Sequence, residues 1–157
     1  MLRRTIRDDE RLRESLELAE KAGLKIEFSN IKLRGDHHPN TTRITVDRKG
    51  ESASLTGSSL GAGRILITNL GGFPVEITGG YPTVVFVAHD EPGVVAQVAA
   101  IFAQEKENIA TMRVARRGRG GDAIHIYEMD DPPSKAAVDA IRAMSAARMV
   151  RSIDRVA

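Results

Sequence analysis

The chain of 157 residues contains no cysteine and no tryptophan, and aromatic side chains make up only 4% of it. Without a thiol there is no disulfide, no thiolate nucleophile and no cysteine-held zinc or iron–sulfur cluster in this chain. Apolar runs are short. The stretch Val84 to Ala88 falls far below the ~20 residues needed to span a bilayer. Met1 to Arg4 leads into charged residues and not into an apolar signal core, so no export signal is visible and the cytoplasm is the expected compartment. An excess of one charge is also missing: 23 Lys and Arg face 21 Asp and Glu, for a net charge of +2. That balance points to neither a nucleic-acid nor a membrane partner. What remains is a composition of 41% hydrophobic and 28% charged residues, which fits a soluble globular chain of one or two small domains.

The first half reads as a helix followed by strands. Asp8 to Ala22 is an amphipathic helix, with Leu12, Leu16 and Ala19 at i, i+4, i+7 and Leu18 and Ala22 widening the stripe. Asp8 or Asp9 can cap its start and Gly23 suits its left-handed end. Leu24 to Phe28 follows as a short strand. After a polar turn from Asp36 to Thr42 come strands at about Thr42–Asp47, Ser52–Ser58, Arg64–Asn69 and Pro74–Thr78. Gly57 to Gly63, Gly71–Gly72 and Gly79–Gly80 are the turns between and after them.

At Gly79, Gly80, Tyr81 and Pro82 the pattern changes, which sets a domain boundary there. Thr83 to His89 is a continuously apolar strand, as a central, doubly covered strand requires. Pro92 stands near a helix start. Val94, Val95, Val98, Ile101 and Phe102 then share one helical face. Ile109 to Arg116 and Ala123 to Met129 are strands joined at Gly118 to Asp122. Ser134 caps a second helix with stripe Ala137, Val138, Ile141 and Met144, and Met149 to Val156 ends the chain as a strand. This βαββαβ order predicts an antiparallel sheet with both helices on one face.

The turn Pro92, Gly93, Val94 together with Asn108 and Ile109 at the next strand resembles the ACT domain family over nearly all of 81–157. Upstream, His38 to Arg43, the Gly57 to Gly63 stretch and Gly72–Phe73 resemble the β chain of bacterial iron–sulfur-dependent L-serine dehydratase. The expected architecture is therefore α+β: a partial α/β effector-type domain over 1–80, then an ACT (ferredoxin-like) domain over 81–157. In that family a substrate-sensing domain precedes the ACT domain, and a separate α chain or α domain carries the catalytic cysteines and a [4Fe-4S] cluster. No cofactor is expected in this chain. The family's opening Ser-Ser-Ser-His-Thr motif does not occur, so the chain resembles a β chain lacking roughly its first third. A similar domain pair regulates some D-3-phosphoglycerate dehydrogenases, a second candidate parent enzyme, and a stand-alone amino-acid-binding ACT module is the other alternative.

An amino-acid sensor needs donors for a carboxylate and acceptors for an ammonium. The turn Asp90 to Val94 offers backbone N–H groups at a helix N-terminus, where the dipole favours an anion. Gly93 permits close approach, and Asn108 can meet either end of a zwitterion. Candidate ligand contacts are thus His89, Asp90, Gly93, Val94, Asn108 and Ile109. By resemblance to serine-binding members, the strand-end histidine and the Asn of Asn-Ile carry over to His89 and Asn108. A second Asn of the turn does not carry over, because Glu91 stands there. His38, Asn40 and Thr41 are candidates for an effector or interface site. The implied partners are a dehydratase α chain, a small amino acid such as L-serine, and a second copy joined through the ACT domain.

Three sharper readings compete with plain ones. Gly57, Ser59 and Gly61 fit a nucleophile elbow, but that device needs a helix next, and a strand follows, so a glycine-rich turn is favoured and no catalytic residue is assigned. His37 and His38 are adjacent in an extended segment and point apart, so no metal site is assigned despite Asp36 and Asp47 nearby. Arg116, Arg117 and Arg119 read as a solvated hairpin tip, or as a contact for an acidic surface.

Overall fold

The structure is a computed structural model that describes residues 10–33, 35 and 37–156. It divides into two compact units, Met1–Asp36 and His37–Ala157. In the first, a 3-10 stretch Glu10–Glu14 runs into helix α1, Ser15–Lys21. Its end matches expectation: Gly23 takes φ 77, its N–H reaches the Glu20 carbonyl at 2.8 Å, and the Leu24 N–H reaches Ala19 at 2.9 Å. The proposed caps Asp8 and Asp9 lie outside the described residues, as does the side chain of Leu12. The strand expected at Leu24–Phe28 is not formed. Leu24, Ile26 and Phe28 alternate with charged neighbours as a strand would, but a strand exists only when a neighbouring backbone takes its N–H and C=O groups. Pattern alone supplies no partner.

Among the described residues, the second unit carries eight strands in two antiparallel four-stranded sheets. The upstream sheet is a meander of β1 (Thr41–Arg48), β2 (Glu51–Gly61), β3 (Arg64–Leu70) and β4 (Phe73–Ile77), in that spatial order. Here the Gly57 to Gly63 stretch is a correction. Gly57 to Gly61 continues β2, and only Ala62 and Gly63 turn the chain into β3. Backbone closeness explains the glycine at 57, where an added Cβ would lie 3.2 Å from the Leu66 carbonyl.

The downstream sheet has strand order β6-β7-β5-β8, built from β5 (Thr83–His89), β6 (Ile109–Arg116), β7 (Asp122–Met129) and β8 (Ala147–Ile153). Helix α2 (Val94–Gln104) joins β5 to β6, and α3 (Lys135–Arg142) joins β7 to β8. Val94, Val98 and Phe102 of α2 and Ala137, Val138 and Ile141 of α3 bury against Val84, Phe86, Tyr127 and Val150 on one sheet face. Each fully buried side chain of this size contributes about 1.5–3 kcal/mol, so this layer dominates the domain's stability. Ser134 caps α3 as expected, its Oγ accepting from the Ala137 N–H at 3.0 Å. The other face is not left open. Val85, Ile124 and Ile126 pack with Phe73 and Ile77 of the upstream sheet. That double covering is why β5 is apolar at almost every position.

Candidate effector site

The strand order decides what the motif residues can do together. β5 and β6 each pair antiparallel to β7, so they run in the same direction. His89 at the end of β5 faces Asp122 at the start of β7, while Ile109 at the start of β6 faces Met129 at the end of β7. One chain therefore holds His89 and Asn108 at opposite ends of the sheet, about 20 Å of strand apart. The residues named from sequence form two half-sites.

At the first half-site, Gly93 opens α2 with φ 93 and ψ −16, and no side chain caps the helix start. The glycine is there for its backbone. The nearest atom to a built Cβ is Gln97 Nε2 at 3.7 Å, so space is not the constraint. Val94 is buried in the core, which anchors the first turn of the helix beneath the free N–H groups. Asp90 is already engaged. Its N–H donates to the Gly121 carbonyl at 2.7 Å, and its Oδ2 accepts from Arg116 Nη1 at 2.9 Å and from the Gly120 N–H at 3.3 Å. The Arg116 hydrogen bond, followed by the Gly120 N–H, holds the Asp90 carboxyl below the usual carboxylate range. His89 is half-buried, and its N–H donates to the Ala146 carbonyl at 3.0 Å.

At the second half-site, Lys106 takes φ 60 to leave α2 and sets Asn108 at the head of β6. Asn108 is exposed, and its Nδ2 donates to Asp130 Oδ2 at 2.6 Å while its carbonyl accepts from the Asp130 N–H at 3.3 Å. The register slips between Ile109 and Thr111, a bulge that re-aims the strand start. Ile109 is partly buried against the helix-side core. Glu128 lies beside this end: it is 7% exposed, its Oε2 accepts from Thr111 Oγ1 at 2.6 Å, and its Oε1 has no hydrogen-bond partner.

Sequence reasoning missed Asp130 and the partners of Arg116 and Arg117. Asp130 follows the last residue of β7 opposite Ile109, so strand pairing would have found it. The hairpin tip is exposed, as the solvated-tip reading expects, but two of its arginines also have partners. Arg116 grips Asp90, while Arg117 donates to the Gly71 carbonyl and lies 4.4 Å over the Phe73 ring.

His38, Asn40 and Thr41 come together at the entry to β1. The Asn40 N–H donates to His38 Nδ1 at 3.2 Å, Thr41 Oγ1 donates to the His38 carbonyl at 2.5 Å, and Thr41 and Ser58 share a hydroxyl contact of 2.8 Å. His38 Nδ1 and Thr41 Oγ1 are thus engaged in shaping the entry turn. Among the described residues no group of three or more His, Asp or Glu could hold a metal, and Asp36 lies outside them. Ser59 sits within β2, opposite Ile65, on a strand and not at a strand-to-helix turn.

Comparison with known proteins covers most of the chain. Residues 83–146 match the ACT domain family. The chain is 40% identical over 123 residues, 78% of its length, to a probable L-serine dehydratase β chain of Bacillus subtilis (strain 168). It is 30% identical over 135 residues, 85% of its length, to the L-serine dehydratase β chain of Peptoniphilus asaccharolyticus. These matches span 55% and 61% of the two relatives' own lengths. A D-3-phosphoglycerate dehydrogenase of Synechocystis (strain PCC 6803) is 33% identical over 79 residues, half of this chain but 14% of that protein. The chain thus carries an ACT domain and is homologous to L-serine dehydratase β chains.

Proposed function

We propose that this chain is the regulatory, non-catalytic β chain of an iron–sulfur L-serine dehydratase, and that two copies of its ACT domain share sites for a small amino acid. One observation supports the shared site most: the two half-sites lie at opposite ends of a sheet whose edge strand, β6, pairs on one side only. Antiparallel pairing of two β6 edges about a two-fold axis brings the partner subunit's Asn108 and the partner subunit's Ile109 toward the Asp90 turn. The free N–H groups of the α2 start then receive a carboxylate, and Asp90 with the partner's Asn108 accepts the ammonium. Met112 and Val114, both exposed on β6, become covered in the same step.

L-Serine is the first ligand to test, with Glu91 in the turn favouring a longer or more cationic amino acid as the alternative. Under this reading residues 1–80 and 81–157 act as two functional parts, the first contacting the catalytic chain and the second sensing. His38, Asn40 and Thr41 then shape the contact edge. The [4Fe-4S] cluster and the deamination of L-serine to pyruvate and ammonia belong to a cytoplasmic α chain; this chain has no cysteine to hold a cluster. The test is co-purification with a cysteine-bearing α chain and assay of serine deamination with and without this chain. Complex formation with a changed rate is expected. No complex and an unchanged rate would remove the reading. The match to phosphoglycerate dehydrogenases covers less of the chain and leaves them as the second parent enzyme, which the same co-purification distinguishes.

A further inference from the structure

The arm formed by the end of β6 and the start of β7 touches two things at once. On one side Asp90 holds it three times, through Arg116, the Gly120 N–H and the Gly121 carbonyl. On the other, Arg117, the next residue along, reaches the turn between β3 and β4. Its guanidinium caps the Phe73 ring at 4.4 Å and donates to the Gly71 carbonyl. Gly72 makes room for it, since a Cβ there would lie 2.8 Å from Arg117 Nη2. A second bridge, Arg113 to Glu76 at 2.8 Å, ties β6 to β4 further down. The β3–β4 turn has its own fastenings: the Gly71 N–H to the Ser54 carbonyl at 2.7 Å and the Gly72 N–H to Asn69 Oδ1 at 3.0 Å.

We infer that this arm is a latch between the effector turn and the upstream sheet: a ligand ammonium arriving at Asp90 displaces Arg116, the arm loosens, and Arg117 leaves Phe73 and Gly71. The inference rests on the effector reading above and names how that site is read out. The Arg116 guanidinium and an arriving ammonium compete for one carboxylate, whose Oδ2 already accepts from both Arg116 and the Gly120 N–H. The contacts are well suited to exchange. The Arg116 side chain is 57% exposed, so solvent screens the pair and its hold on Asp90 is weak. A switch needs that near balance, since a ligand moves an equilibrium only by its differential affinity for the two states. Coupling is carried by adjacent residues on one strand end, 116 facing the sensor turn and 117 facing the neighbouring sheet.

Amide hydrogen exchange on the full chain tests this with and without ligand. Asp90→Asn removes the charge that Arg116 follows while keeping the side chain's size. It is expected to speed exchange at Gly71 and Gly72 about five- to tenfold, with the amides of Val85 and Ile126 unchanged as a control for folding. In an Arg117→Gln background the same amides exchange fast already, and adding Asp90→Asn changes them no further. L-Serine at saturation is expected to reproduce the Asp90→Asn effect in the wild type, and to slow exchange at Val94 to Gln97 in wild type and Arg117→Gln alike. Unchanged exchange at Gly71 and Gly72 in Asp90→Asn overturns the latch whatever the ligand does, as does protection of Val94 to Gln97 by L-serine with no change at Gly71. A chain that responds to Asp90→Asn but to no amino acid keeps the latch contact and removes the effector reading.

Discussion

Gly93→Ala isolates the conformation on which the first half-site depends. The backbone at 93 has φ 93, where an L side chain is strained by roughly 1–2 kcal/mol. No overlap adds to that, because the nearest atom to the new Cβ lies at 3.7 Å. Alanine also stiffens the unfolded chain, which returns about 0.4–1 kcal/mol. The net loss is therefore about 1 kcal/mol, measured as a shift of the urea midpoint at constant slope. Gly93→Asn should lose less, since asparagine tolerates left-handed backbone better. A d-alanine at the same position, introduced by semisynthesis, should stabilise. Equal stability of the L-Ala and d-Ala proteins would refute the turn geometry, and with it the outward aim of the helix N–H groups.

Other consequences follow from burial and charge. Phe102 is 1% exposed and meets the Tyr127 ring edge-on at 5.5 Å, so Phe102→Ala should cost about 3–5 kcal/mol in urea unfolding and Phe102→Leu about 1. His125 is buried beside Phe86 and Tyr127, and burial lowers its pKa below the ordinary 6.5, with Asp90 opposing weakly. The unfolded chain then binds the proton more readily. Stability is full above pH 6.5 and falls as pH drops from there toward the folded-state pKa, by at most about 1.4 kcal/mol per pH unit. Urea midpoints between pH 7.5 and 5.5 should show that slope, and His125→Gln should flatten it.

Much of the downstream fold was legible because its signals are local. The bounds of β5 and β6 coincide with the apolar run at Thr83 to His89 and the alternation at Ile109 to Arg116, and Ser134 caps as its position suggests. Leu24 to Phe28 misled because alternation reports amphipathicity and not the presence of a pairing neighbour. The partners of the two exposed arginines, Asp90 and the Gly71–Phe73 turn, were not legible because they are 26 and 46 residues away in sequence. The candidate ligand residues fall on the turn before α2 and at the start of β6, where the sequence places them. Their 20 Å separation follows only from strand order, which no motif encodes.

That separation makes a direct test possible. His89→Ala and Asn108→Ala copies are prepared separately, then mixed and allowed to exchange, and L-serine is titrated calorimetrically into each sample. If two copies share each site, either variant alone binds nothing, while half of the mixed dimers' sites are wholly native and about a quarter of the wild-type capacity returns. Binding by either variant at wild-type strength, or no recovery on mixing where wild type binds, would contradict the shared amino-acid site.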